Sequence, residues 1–123
     1  RTILVQERIA SMEEFSDINE INRGLDCLSI SYSRLVKKFG NPNGEFDHCK
    51  SDVCWEGKIN GKDFYIMNWK DGKNYCGKAG LNVEDITYWN IGGCDEEVVE
   101  SLENYINSDG LSGLWEIYMR YYE

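Results

Sequence analysis

Residues 53–67, VCWEGKINGKDFYIM, decide the fold. Val53, Trp55 and Ile59 alternate toward an Asn60-Gly61 pair, and Phe64 and Ile66 resume the alternation beyond it. An Asn-Gly pair between two such runs is the signature of a two-residue type I′ hairpin, because both turn positions need positive φ. Counting outward sets Ile59 against Lys62, Lys58 against Asp63, Trp55 against Ile66 and Cys54 against Met67. That register puts Trp55, Ile59, Phe64 and Ile66 on one buried face and pairs opposite charges directly across the strands. A one-residue slip would lose both features, so the register is specified twice.

Helical signals flank the hairpin. Ser31 caps a helix with Tyr32, Leu35, Val36 and Phe39 on one face. Lys37 and Lys38 oppose the carbonyl end of its dipole, Gly40 supplies a left-handed stop, and Pro42 lies just beyond. Nearer the start, residues 1–10 suit a short strand or a frayed helical turn. Ser11 and Glu14 then form a capping box with Ile9 beside it, and Met12, Phe15, Ile18 and Ile21 make an apolar stripe that Gly24 would stop.

Downstream, residues 86–91 read as a third strand, with Thr87, Trp89 and Ile91 on one side and Ile86, Tyr88 and Asn90 on the other. Gly92-Gly93 is expected to turn the chain. Asp95 caps a long helix whose apolar face is Val98, Val99, Leu102, Tyr105 and Ile106, and which Asp109-Gly110 would end. The tail GLWEIYMRYYE fits a strand, with Trp115, Ile117, Met119 and Tyr121 on one face. It fits a helix equally, with Leu114, Ile117, Tyr118 and Tyr121 together. Its aromatic density points to burial or to an oligomer contact. The expected architecture is a single α+β domain over residues 1–123. A small antiparallel sheet, the Asn-Gly hairpin plus at least one further strand, packs with two or three helices.

Bulk properties narrow the function. The 123 residues fit one domain with one modest core, and 13% aromatic content is not that of a disordered chain. Net charge is −9, unevenly spread: residues 1–30 carry three basic and six acidic groups, residues 31–80 nine and six, and residues 81–123 one and ten. That balance disfavours direct nucleic-acid binding, which needs phosphate neutralisation by a basic surface. The acidic third suits a basic partner, or simply a solvated surface, and the middle suits a small anion. Five cysteines at 27, 49, 54, 76 and 94 include no C-x-x-C, and His48 is the only histidine, so free thiols in a reducing compartment are expected and a zinc site is poorly supported. No apolar run approaches the about 20 residues of a membrane span. The expectation is a soluble protein of the host-cell cytoplasm, with no membrane association and no cofactor.

One segment carries most of the functional signal. Residues 69–80, WKDGKNYCGKAG, hold three lysines, three glycines and two aromatics. Glycines let backbone amides approach a ligand, Lys70, Lys73 and Lys78 supply positive charge, and Trp69 and Tyr75 offer faces for stacking, with Asn74 between them. The set Trp69, Lys70, Lys73, Asn74, Tyr75 and Lys78 suits a nucleotide-like anion; a plain surface turn is the bland alternative. It is neither a Walker loop nor a dinucleotide fingerprint. The second candidate is the acidic stripe Glu96, Glu100 and Glu103, a solvated helix face or a contact for a protein partner. Gly92-Gly93 before a helix suggests an anion site, but Asp95, Glu96 and Glu97 already fill that helix end. Catalysis has the weakest support. His48 with the neighbouring thiols, or Asp47, His48 and Asp52 around a metal, form no recognisable constellation.

The segments RLVKKFGNPNG, VCWEGKINGKDFYIMNWKDGKNY and ITYWNIGG, in that order, resemble small proteins of phages and large DNA viruses. Those share a helix ending in FG-x-P, a Trp-bearing hairpin, an aromatic-x-K loop and a W-x-IGG strand end, over about residues 32 to 106 here. The resemblance implies a viral origin and carries over no catalytic residue. It implies action by binding, as an inhibitor of a host defence protein or as a sponge for a nucleotide signal. The leading expectation is a non-enzymatic viral protein that engages a host or viral protein through its acidic surface. Sequestration of a small nucleotide-like anion by residues 69–80 is the alternative, a small hydrolase or metal enzyme the third, and a homo-oligomer is compatible with all of them.

Overall fold

The computed structural model describes residues 22–45, 47–93, 95–108 and 116–119. Along the chain these form β1 (Asn22–Ser29), α1 (Tyr32–Phe39), β2 (Cys54–Ile59), β3 (Lys62–Met67), the single-turn α2 (Lys73–Cys76), β4 (Tyr88–Gly93), α3 (Glu96–Ile106) and β5 (Ile117–Met119), with 3-10 turns at Gly77–Ala79 and Val83–Asp85. The strands make one antiparallel sheet in the order β1-β4-β3-β2-β5. The α+β architecture expected from the sequence is the one observed.

The hairpin has the register that the sequence specifies, from Ile59↔Lys62 out to Cys54↔Met67. Asn60 at φ 50° and Gly61 at φ 85° supply the two left-handed turn positions. Trp55, Ile59, Phe64 and Ile66 are all fully buried on one face, and Lys58 reaches Asp63 at 3.6 Å on the other. Helices α1 and α3 cover the apolar face. Leu35 and Phe39 of α1, and Val98, Val99, Leu102, Tyr105 and Ile106 of α3, join it in one core with Trp89, Ile91, Ile117 and Met119.

Helix α1 is fixed by its ends. Ser31 accepts a bond from the Arg34 N–H at 3.2 Å, and the Gly40 N–H, at φ 87°, donates to the Val36 carbonyl. The two buried indoles donate to carbonyls that flank the helix: Trp89 to Ile30 at 2.9 Å and Trp55 to Gly40 at 2.8 Å. The Tyr105 hydroxyl donates to the Lys38 carbonyl at 2.8 Å. Core aromatics thus place their polar tips on half-buried backbone carbonyls at and around α1. In return, α1 serves the carbonyl end of α3: Arg34 donates to Ile106 O at 2.9 Å and Lys38 to Ser108 O at 2.8 Å.

Several expectations are corrected. The N-terminal capping box and stripe lie outside the described residues, but Gly24, its supposed stop, sits inside β1. The third strand starts at Tyr88, not Ile86; Ile86 is buried as the chain leaves a 3-10 turn, and Thr87 is exposed. Gly92-Gly93 does not turn the chain. Both residues are paired in β4, opposite Tyr65 and Phe64. A Cβ at position 92 would lie 2.1 Å from the Tyr65 ring, so the glycine is there to admit that ring against the strand. Helix α3 stops at Ile106, before Asp109-Gly110. The tail resolves as a strand, with Ile117 and Met119 buried; Trp115 and Tyr121 lie outside the described residues.

Candidate binding surface

All of the loops 30–31, 40–53 and 68–87 emerge at one end of the sheet, opposite the Asn60-Gly61 turn. Residues 69–80 lie there as a folded turn. Its anchor is Asn68, fully buried, just past the end of β3. The Asn68 side-chain oxygen accepts from the backbone N–H of Asp52 at 2.8 Å and of Val53 at 3.2 Å, and its amide donates to Asp52 at 2.8 Å and to Asp71 at 2.9 Å. Asp52 then reaches the Asn74 N–H at 3.2 Å, and the Asn74 amide donates to Ser51 O at 2.8 Å. Backbone bonds from Lys70 to Lys50 and from Leu81 to Asp71 close the base.

Two of the three glycines are packing residues. A Cβ at Gly72 would meet Asp52 at 2.1 Å, and one at Gly80 would meet the Gly72 carbonyl at 2.2 Å. Gly77 faces open space at φ 67° and makes the left-handed exit from α2. The amides of Asn74, Cys76, Gly80 and Leu81 bond within the fold and are taken by the chain's own acceptors. Asn74 belongs to the scaffold of the turn.

What the turn presents outward is side chains. Trp69 and Tyr75 are 36% and 51% exposed. The Lys50 ammonium lies over the Trp69 ring at 5.6 Å from its centroid, and the Lys70 ammonium lies over Tyr75 at 5.4 Å. Lys73 leans on the Lys78 carbonyl at 3.4 Å. Five of the six residues singled out from the sequence therefore share one rim. The sequence reading missed Lys50, Asp52 and Asn68. Counting the hairpin register out by one more pair sets Asn68 beside Val53, which was the available signal.

The acidic candidates lie elsewhere. Glu96 and Glu100 are exposed and Glu103 half-buried on the outer side of α3. Asp95 accepts from the Glu97 N–H at 3.0 Å as the helix cap. Lys62, at the start of β3, bonds both Asp95 and Glu97. The hydrogen bond from Lys62 holds the Asp95 carboxyl below the usual carboxylate range, and the same two carboxylates raise the Lys62 ammonium above its ordinary value. No such cation stands within ion-pair distance of Glu96, Glu100 or Glu103 among the described residues.

Among the described residues no three of His, Cys, Asp and Glu stand close enough to hold a metal ion. Cys27, Cys49, Cys54 and Cys76 form no disulfide with one another, and burial, with Glu56 adding to it, pushes the Cys54 thiol far up. No helix of the described residues is long and apolar enough to cross a membrane. No protein-family model, curated protein or solved structure matches the chain.

Proposed function

We propose that this is a non-catalytic binding protein whose contact surface is the lysine–aromatic rim of residues 69–80, and whose ligand is an anion carrying a planar ring, as a nucleotide does. The observation that supports this reading is the pairing of each exposed ring with an ammonium group, Lys50 over Trp69 and Lys70 over Tyr75, on a turn pinned from below. One face of each ring is backed by charge. The other offers stacking, with Lys73 and Lys78 beside it for phosphate oxygens. Because the amides of Asn74, Cys76, Gly77 and Gly80 are engaged, recognition falls chiefly to these side chains.

Thermal unfolding across a panel of mononucleotides, dinucleotides and cyclic nucleotides tests the reading. A true ligand at about 100 times its Kd adds about 2.7 kcal/mol to stability. Lys73→Ala and Tyr75→Ala are expected to abolish that shift and leave the unliganded midpoint in place. A panel with no shift on the wild-type protein removes the nucleotide reading.

A second reading is favoured by the exposed carboxylates of α3, which lack the lysine that neutralises Asp95 and Glu97. In it, Glu96, Glu100 and Glu103 engage a basic groove of a protein partner. The resemblance to viral proteins makes that partner a host defence protein, which this chain would inhibit. Replacing the three glutamates by lysine would abolish the complex without moving the melting midpoint; an unchanged affinity would sink this version.

A further inference from the structure

We propose that the lysine–aromatic rim of one molecule docks on the acidic outer face of α3 in a second copy of the chain, head to tail. This goes beyond the nucleotide reading, although it uses some of the same side chains.

Charge supplies the first argument. The chain has 22 acidic residues and 13 basic ones, yet Lys50, Lys70, Lys73 and Lys78 find no carboxylate within ion-pair distance among the described residues. The nearest acids in sequence, Asp52 and Asp71, are occupied by Asn68. Four clustered cations with no ion-pair partner among the described residues form a surface that an anionic surface completes.

Composition supplies the second. The large apolar side chains that remain exposed among the described residues are Trp69, Tyr75, Leu81 and Tyr88, at 36%, 51%, 46% and 57%. All come from the β3–β4 connection and its junction with β4. Aromatic rings interleaved with cations are the make-up of a protein-contact patch.

Distance supplies the third. Glu96, Glu100 and Glu103 recur at i, i+4 and i+7, a row of about 10 Å along the helix. The helix starts beside Lys62 at the hairpin end of β3, whereas the rim begins two residues beyond the other end. Six strand residues separate the ends by about 20 Å. Glu100 and Glu103 lie further along α3, yet among the described residues neither pairs with Lys50, Lys70, Lys73 or Lys78 of the same molecule, so a second copy supplies the contact. Two different surfaces make a heterologous contact, which propagates into a ring or a filament instead of closing as a two-fold dimer. Paired exposed charges make it sensitive to salt.

Sedimentation velocity on the full chain tests this, with no nucleotide present. The wild-type protein is expected to gain mass with concentration at about 20 mM salt and to return to monomer at about 500 mM. Lys73→Ala with Lys78→Ala disables the rim, and Glu100→Gln with Glu103→Gln disables the face, so each double variant stays monomeric. Mixed one to one, the two variants retain one good surface of each kind and form a 1:1 complex that grows no further. Lys50→Ala with Lys70→Ala is an independent rim variant should the first fail to fold. A wild-type monomer under all conditions, association that survives in both variants, or a mixture that stays monomeric overturns the proposal. A flat nucleotide panel leaves it standing, and a positive panel does not establish it.

Discussion

At Asn68 a buried amide uses its whole capacity: two bonds accepted at the oxygen and two donated from the nitrogen. Asn68→Ala strands the N–H groups of Asp52 and Val53 and frees both carboxylates, at roughly 1–3 kcal/mol for each buried group left unpaired. Asn68→Asp should be worse at neutral pH, because a third carboxylate would face Asp52 and Asp71. Like charges raise its folded pKa, so the penalty is full well above that pKa and shrinks as the pH falls. Urea unfolding of both variants at pH 7 and pH 5 checks this; equal midpoints for Asp and Ala at pH 7 would contradict it. Gly92 is the other position where one atom matters. Gly92→Ala drives a methyl into the Tyr65 ring and should cost about 1–3 kcal/mol. The sequence makes Asn60-Gly61 legible because a turn needs only its own two residues. It misleads at Gly92-Gly93, because Gly92 makes room for a ring 27 positions earlier in the chain and Gly93 packs against the Asp63 carbonyl and Val98. Asn68 reads as a loop residue until the strands bring Asp52 beside it.

Among the elements, α1, α3 and the hairpin were legible from caps and periodicity, and their limits hold within a residue or two. β1 was not. Its sequence, NRGLDCLS, has little strand propensity, and its identity comes from pairing with β4, with a register shift between Asn22 and Asp26. Lys38 shows the same limit: its charge suits the end of its own helix, yet its ammonium donates to the carbonyl and the hydroxyl of Ser108, just beyond α3. The Lys62–Asp95 contact joins hairpin to helix, and its pH dependence is specific. Asp95 is held below its ordinary pKa, so its contribution is present above about pH 4, the unfolded carboxylate value, and is lost as the pH falls through the lower folded value. Asp95→Asn keeps an oxygen to cap the helix and drops the ion pair. Melting curves from pH 7 to pH 2 should show the wild-type advantage constant down to about pH 5 and fading below about pH 4. A gap that stays constant to pH 2 would remove Lys62 as its cause.

Across the whole molecule, the sheet is completed by segments far apart in sequence, and β2, one strand in from its edge, shows how. β2 is a central-strand sequence, buried on both faces, yet only β3 pairs with it as a hairpin. Its other edge is closed in two pieces. Near its start the Asn43 side chain bonds both the N–H and the carbonyl of Glu56, at 3.0 and 3.1 Å, and the Asn43 and Gly44 amides donate to Cys54 O. Near its end β5 pairs through Gly57↔Met119 and Ile59↔Ile117. An open β2 edge would be a template for pairing between chains, so these two pieces guard solubility as well as stability. Ile117 tests this, since it is fully buried in the core while its backbone covers the edge. Ile117→Ala should cost about 2–5 kcal/mol, the range for deleting most of a buried aliphatic side chain. It should also loosen β5 first, because Ile117 is one of the two side chains that seat this three-residue strand in the core. Amide exchange would then rise at Lys58 and Ile59 before the β2–β3 hairpin opens. The variant should form sheet-rich aggregates at temperatures where the wild type does not. Those aggregates should persist in high salt, which separates them from the salt-sensitive rim-to-helix assembly. Uniform exchange across the sheet would mean that β5 opens only with the whole fold and is no separate guard of the edge.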